Sequence, residues 1–105
     1  VPVSDTIVNY AVKLSAMTRP GDKNAPDITK RYVSWGAGPR ASLYLILGAK
    51  AGALLAGRTA VSMEDVNAVA HCVLRHRIIT NFQAEADSID SIKIIDEIIK
   101  RIEKQ

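Results

Sequence analysis

A chain of 105 residues, 48% hydrophobic and 24% charged, fits one soluble domain with a real core. Its net charge of +3 is small, and its basic residues are interleaved with acids, unlike the dense Lys and Arg stripe of a dedicated duplex-DNA binder. The single cysteine, Cys72, excludes a disulfide framework and a Cys-rich metal site, and it suits a reducing compartment. Aromatic residues make up only 5%, so a core must rest on Ile, Leu, Val and Ala. These recur at helical spacing, which predicts an all-α fold: a small bundle of about four main helices forming one domain over residues 1–105. The chain opens at Val1 with no initiator Met and no cleavable leader, and Val1-Pro2-Val3 runs straight into a helix start. The expectation is a piece of a longer protein.

The first helix is predicted from Ser4 to about Thr18. Ser4 is a good N-cap, Asp5 faces the positive end of the dipole, and Ile7, Tyr10, Ala11, Leu14 and Met17 form one face. Pro20-Gly21 stops it, and Gly21 to Asp27 reads as loop. Ile28 to Trp35 reads as a short helical piece, with no strong strand signal anywhere in the chain. After Gly36-Ala37-Gly38, Pro39 opens the longest apolar helix, predicted to Ala56 and ended by Gly57. Leu43, Tyr44, Leu45, Ile46, Leu47, Ala51, Leu54 and Leu55 point in almost every direction around it. That pattern predicts a central, fully buried helix. It is too short for a membrane span and contains Lys50.

Arg58 to Val61 reads as an extended connector. Ser62 and Asp65 resemble a capping box, opening a helix to about His76 whose apolar set is Val66, Val69, Ala70 and Val73, with Leu74 beside it. Asn81 to Ser88 is polar and acidic and reads as loop. The last helix starts near Asp90 or Ser91 and is predicted to run to the end. Ile92, Ile94, Ile95, Ile98, Ile99 and Ile102 fall in one arc of roughly 160°. That stripe is wide enough to cover a core, and a coiled-coil or partner-binding use is the alternative.

No phosphate loop, HExxH pattern or paired Cys and His spacing is present, and His71 and His76, five apart, do not share a helix face. No nucleophile, base and orienting acid can be assembled, so this piece is expected not to be an enzyme alone. The segment Tyr32-Val-Ser-Trp-Gly-Ala-Gly-Pro-Arg40-Ala41-Ser42 stands out. Two glycines allow close backbone approach, Pro39 fixes a helix start, and Arg40 sits in a first turn where the dipole disfavours a cation. Helix N-termini suit anions, and a guanidinium fork matches phosphate. The competing reading is a surface arginine covering a helix end.

The segment Arg31-Tyr32-Val33 through Gly36-Ala37-Gly38-Pro39-Arg40-Ala41 resembles the lid signature of MoxR AAA+ ATPases. So do Tyr44-Leu-Ile-Leu-Gly-Ala-Lys-Ala51, Val61-Ser-x-Glu-Asp-Val66, Val73-Leu-Arg-His-Arg-Ile78, Asn81-Phe82 and Glu85-Ala86. The resemblance implies a lid that follows a P-loop core, with ATP and Mg2+ in the cleft between them in the intact parent. It implies that Arg40 is the sensor-2 arginine reaching the γ-phosphate, with Gly38 and Pro39 beside it. It further implies a cytoplasmic, chaperone-like, homo-oligomeric ring acting on a client that the sequence does not name. The family usually has Ser where this chain has Gly38.

Three further features carry two readings or one. Arg75-His76-Arg77 either pairs with a helix C-terminus or contacts the core or a neighbouring subunit. Trp35 either packs in the core or stacks near the nucleotide. Cys72 reads as a small core residue. The runner-up for the whole chain is a histone-fold-like DNA-binding module, because Arg58-Thr-Ala-Val61 and Ser62-x-x-Asp65-Val66 echo a histone loop and helix. Its central helix is too short for that fold.

Overall fold

The structure, a computed structural model, describes residues 3–103. Four main helices form the body: α1 (Asp5–Ala16), α3 (Arg40–Leu55), α4 (Met63–Leu74) and α6 (Ser91–Glu103). Two short helices, α2 (Asp27–Tyr32) and α5 (Phe82–Ala86), and two short strands, β1 (Val33–Trp35) and β2 (Ile79–Thr80), complete it. The predicted all-α bundle is what forms. Its first two and last two residues lie outside the described chain, including the helix end predicted at residues 104–105.

The local causes are those the sequence implies. The Ser4 hydroxyl accepts from the Ile7 amide at 3.4 Å, with Asp5 in the first turn of α1. Ser62 and Asp65 close a reciprocal capping box on α4: the Asp65 carboxylate accepts from the Ser62 amide at 2.8 Å. The C-terminus of α3 ends on Gly57 at φ +75°, where the Gly57 and Arg58 amides donate to the carbonyls of Leu54 and Ala53. A left-handed residue costs glycine nothing there, whereas a side chain would strain it.

The core joins all four main helices. Leu14 and Met17 from α1 and its end, Leu45 from α3, Val66 and Leu74 from α4, and Ile94, Ile95 and Ile98 from α6 are shut away from solvent. Each such side chain contributes roughly 1.5–3 kcal/mol of burial. Helix α6 thus packs within the chain, with Ile94, Ile95, Ile98 and Ile102 inward.

Several expectations need correction. Residues 28–35 are not one helical piece: the helix stops at Tyr32, and β1 pairs antiparallel with β2, Val33 opposite Thr80 and Trp35 opposite Ile79. The predicted loop at 81–88 contains α5, capped by the Asn81 side chain accepting from the Ala84 amide at 3.0 Å. Helix α4 ends at Leu74 rather than His76. Cys72 is exposed. The inward positions on α4 are Asp65, Val66, Ala70 and Leu74, and at 100° per residue Cys72 points nearly opposite Ala70.

The largest correction concerns α3. It is apolar all round but not buried all round. Its inward seam is Ala41, Leu45, Ala49 and Ala53. Leu43, Leu47, Leu54 and Leu55 are 54%, 50%, 66% and 89% exposed.

Candidate functional site

The segment ahead of α3 is fastened to α1 by hydroxyl groups. The Thr18 hydroxyl donates to the Ser15 carbonyl at 2.6 Å and accepts from the Ala37 amide at 2.8 Å. The Ser15 hydroxyl donates to the Gly38 carbonyl at 3.3 Å, and Thr29 donates to the Met17 carbonyl at 2.8 Å. Ser15, Thr18 and Thr29 are buried, and so is Ala37. Buried hydroxyls that find backbone partners hold a loop in one geometry, because an unmade bond there costs about 1–3 kcal/mol.

The two glycines play different parts. A Cβ on Gly36 would lie 2.3 Å from the Thr18 carbonyl oxygen and 2.7 Å from the Arg19 Cα. The close approach that the sequence suggested is therefore to this chain's own α1 end. Gly38 faces open space. Its carbonyl accepts from the Ala41 amide at 3.0 Å, and Pro39, the capping residue, already has helical angles (φ −58°, ψ −30°). No side chain caps α3.

Arg40 follows as the first residue of the helix. Gly38, Pro39 and Arg40 are all exposed, and Arg40 makes no hydrogen bond or ion pair with any described residue. The structure therefore brings together the three residues singled out from sequence, on a surface rather than in an enclosed pocket. Sequence reasoning missed Ser15, Thr18 and Thr29. The readable signal was two hydroxyls set among the core positions Leu14 and Met17 at a helix end.

Tyr44, one turn beyond Arg40, lies under the Arg77 guanidinium, 4.7 Å from the ring centroid. Arg77 also donates to the Val73 carbonyl at 2.8 Å, so part of the basic knot does pair with the C-terminus of α4. Arg75 donates to His76 at 3.1 Å. His71 pairs with Asp96 of α6 at 2.7 Å.

Trp35 is 72% exposed, which overturns its expected place in the core. The irregularity between Val33 and Trp35 in the β1–β2 register explains this. In a regular strand the two would share a face; the bulge rotates Trp35 away from buried Val33. Cross-strand Ile79 and nearby Phe82 are exposed as well.

At the far end of α3, Arg58 grips Asp65 with both terminal guanidinium nitrogens, the bond from Nη1 measuring 2.9 Å. Arg58, then the Ser62 amide, hold the Asp65 carboxyl below the usual carboxylate range. Among the described residues no cluster of three or more His, Cys, Asp or Glu could hold a metal, and no helix is long and apolar enough to cross a membrane.

Fold and site together define a small helical module whose longest helix opens, from a locked loop, on an exposed arginine with no partner among the described residues. A family model described as the AAA lid domain matches residues 25–98, and the chain belongs to that family. It is the lid of a MoxR-like AAA+ ATPase: over 100 residues it is 35% identical to Chaperone MoxR1 of Mycobacterium tuberculosis (strain ATCC 25618 / H37Rv). That alignment takes in 95% of this chain and 26% of the relative. A crystal structure of a protein assigned as an ATPase from Cytophaga hutchinsonii ATCC 33406 superposes with a TM-score of 0.88 at 35% identity. It covers 95% of this chain and 30% of that one. The chain therefore spans under a third of the proteins it matches. The match decides the class against the histone-fold-like alternative.

Proposed function

We propose that this chain is the nucleotide-sensing lid of a MoxR-type AAA+ ATPase, with Arg40 as its sensor-2 arginine. In the intact protein Arg40 reaches the γ-phosphate of ATP, held with Mg2+ by a P-loop core. Gly38 and Pro39 set the backbone that aims it. The parent works as a cytoplasmic homo-oligomeric ring that remodels a client protein, and catalysis needs the core as well as the lid.

The observation that carries this reading is Arg40 itself. A cation in the first turn of a helix faces the dipole unfavourably and has no partner among the described residues, yet the loop before it is held by two buried hydroxyls, those of Ser15 and Thr18. A rigid base, a free guanidinium and helix amides pointing the same way suit a polyanion that develops charge. Binding the transferring phosphoryl group with a fixed fork stabilises its transition state without reorganisation.

The test is steady-state hydrolysis of ATP by the intact protein carrying Arg40→Ala, alongside its melting temperature. Turnover should fall on the order of 10²-fold or more, with the melting temperature unchanged. Arg40→Lys should restore little, since an ammonium cannot make the bidentate contact. Normal turnover in Arg40→Ala would return Arg40 to the role of a surface cap.

A further inference from the structure

The charge of this chain is not spread evenly. One recess of about 340 Å3 is lined by Lys13, Lys23, Asn24, Asp27, Lys30 and Arg101. It gathers four cations and one acid, a surplus equal to the net charge of +3 of the whole chain. The rest of the sequence is balanced, with as many acids as bases. The cations come from four separate elements: Lys13 from the last turn of α1, Lys23 from the loop after it, Lys30 from the last turn of α2 and Arg101 from the last turn of α6. The loop is fixed where it presents Lys23. The Asp22 carboxylate accepts from the Asn24 amide at 2.8 Å, the Ala25 amide donates to the Asp22 carbonyl at 3.1 Å, and Ala25 and Pro26 are buried.

A cation in the last turn of a helix offsets the dipole of that helix. This accounts for Lys13, Lys30 and Arg101 one at a time. It does not account for their meeting at one place with Lys23, where like charges repel. Two other surface cations are answered by acids: Arg58 has Asp65, and Lys100, in the hollow next to Arg101, has Glu97 at 3.9 Å. Among the described residues, the side chains of Lys23, Lys30 and Arg101 make no hydrogen bond or ion pair, and Asp27 stands between them without forming one.

What suits the recess is a compact ligand with more than one negative charge. A monocarboxylate leaves most of the surplus unanswered. A phosphate-bearing anion offers several acceptor oxygens to the ammonium groups, the guanidinium fork and the Asn24 amide. The volume is that of a small-ligand site. The lining has no aromatic side chain on which a base stacks, and no surplus of bases continues beyond it to follow a nucleic-acid backbone.

We propose that this recess between the ends of α1, α2 and α6 binds a diphosphate group, apart from the segment that carries Arg40. Lys23, Lys30 and Arg101 hold the phosphate oxygens, and Lys13 adds to the field. Asp27 sets a threshold: it repels every anion, so only one charged enough to outweigh it stays. A ligand held from four elements ties the end of α6 to α1 and α2, and so raises the melting temperature.

The experiment is an amide NMR titration of the 105-residue chain, whose four main helices close one core within it, with sodium pyrophosphate at constant ionic strength. Saturable shifts should centre on residues 23–30 and on Arg101, with half-saturation below about 1 mM. Lys30→Ala and Arg101→Ala should each weaken binding about tenfold, the worth of one charge-assisted hydrogen bond. Asp27→Asn should tighten it, a gain that damage to the fold does not produce, and Arg40→Ala should leave it unchanged. ADP separates the sources of the diphosphate: tighter binding than pyrophosphate points to a nucleotide, weaker binding to an inorganic ligand. Shifts that fail to saturate, that spread to Lys50 and Lys93, or that gather at Arg40 would overturn the proposal. Sulfate binding as tightly as pyrophosphate would also overturn it, since bare charge attraction would then be enough. Displacement by an acidic peptide at lower concentration would do the same, because a protein would then be the occupant.

Discussion

Helices α3 and α6 are both rich in Leu or Ile, yet they are held in opposite ways. Helix α6 keeps its apolar residues on one side, and Ile94, Ile95, Ile98 and Ile102 all go inward. It is fastened along its length. Helix α3 commits mainly small residues to its seam, with Leu45 the one large side chain among Ala41, Ala49 and Ala53. It is fastened at its ends: by the hydroxyl-bonded loop through Gly36 and Gly38 before it, and by the Gly57 turn with the Arg58–Asp65 pair after it. The small seam lets α4 come close, near enough that a Cβ on Gly48 would lie 3.2 Å from the Val69 side chain. The large residues of α3 are left for the outside. An apolar residue in excess of what the fold can bury therefore points to a surface built for another body.

The deepest break in this contrast is Ile98→Ala. It should cost about 2–5 kcal/mol in denaturant unfolding, through lost burial plus the cavity left behind. A cost under 1 kcal/mol would mean α6 is not fastened along its length. Next is Gly36→Ala, which forces a methyl into the Thr18 carbonyl. Overpacking of this kind costs roughly 1–3 kcal/mol, while Gly38→Ala, facing open space, should stay within about 0.5 kcal/mol. Equal melting temperatures for the two alanine variants would refute the lock at the first end.

The second end is tested by pH. Because Arg58 lowers the folded-state pKa of Asp65, its stabilising contribution is present above the usual carboxylate range. It is lost as pH falls through the depressed value. Asp65→Asn should therefore lower the melting temperature at neutral pH, and the gap from the native chain should close in strong acid. A gap that stays constant across that range would show that the ion pair contributes nothing. The smallest effect belongs to the outer face: Leu47→Gln should change the stability of the chain itself by less than about 0.5 kcal/mol.

What the sequence made legible is what local chemistry decides. Ser4, the Ser62–Asp65 box, Gly57 and the isoleucine stripe of α6 each declare themselves within a few residues, and each forms as read except that Ile92, at the start of the stripe, is exposed. The exposed Arg40 with Pro39 and Gly38 was equally readable as a surface feature, because its oddity is local. The misses depend on distant parts of the chain. Strands of three and two residues are too short to show alternation, and β1 exists only because Ile79 and Thr80 return to pair with it. Trp35 and Cys72 were placed inward by their usual preference, and each was turned out by geometry: a bulge in one case, a helix phase in the other. Helix α5 left a signal that went unread, since Asn81 is a good N-cap. For α3, periodicity could not say which of two apolar faces meets the bundle.

Trp35 has a consequence of an optical kind. It is the only tryptophan in the chain, it stands largely in water, and it precedes Arg40 by five residues on a strand leading into the locked loop. Its indole is the chain's dominant ultraviolet emitter, and a solvated indole emits at long wavelength and is open to collisional quenchers. Any body that settles over this edge of the molecule will pull that emission toward the blue and shield it from iodide. The lid thus carries an intrinsic gauge of its own covering, with no label attached.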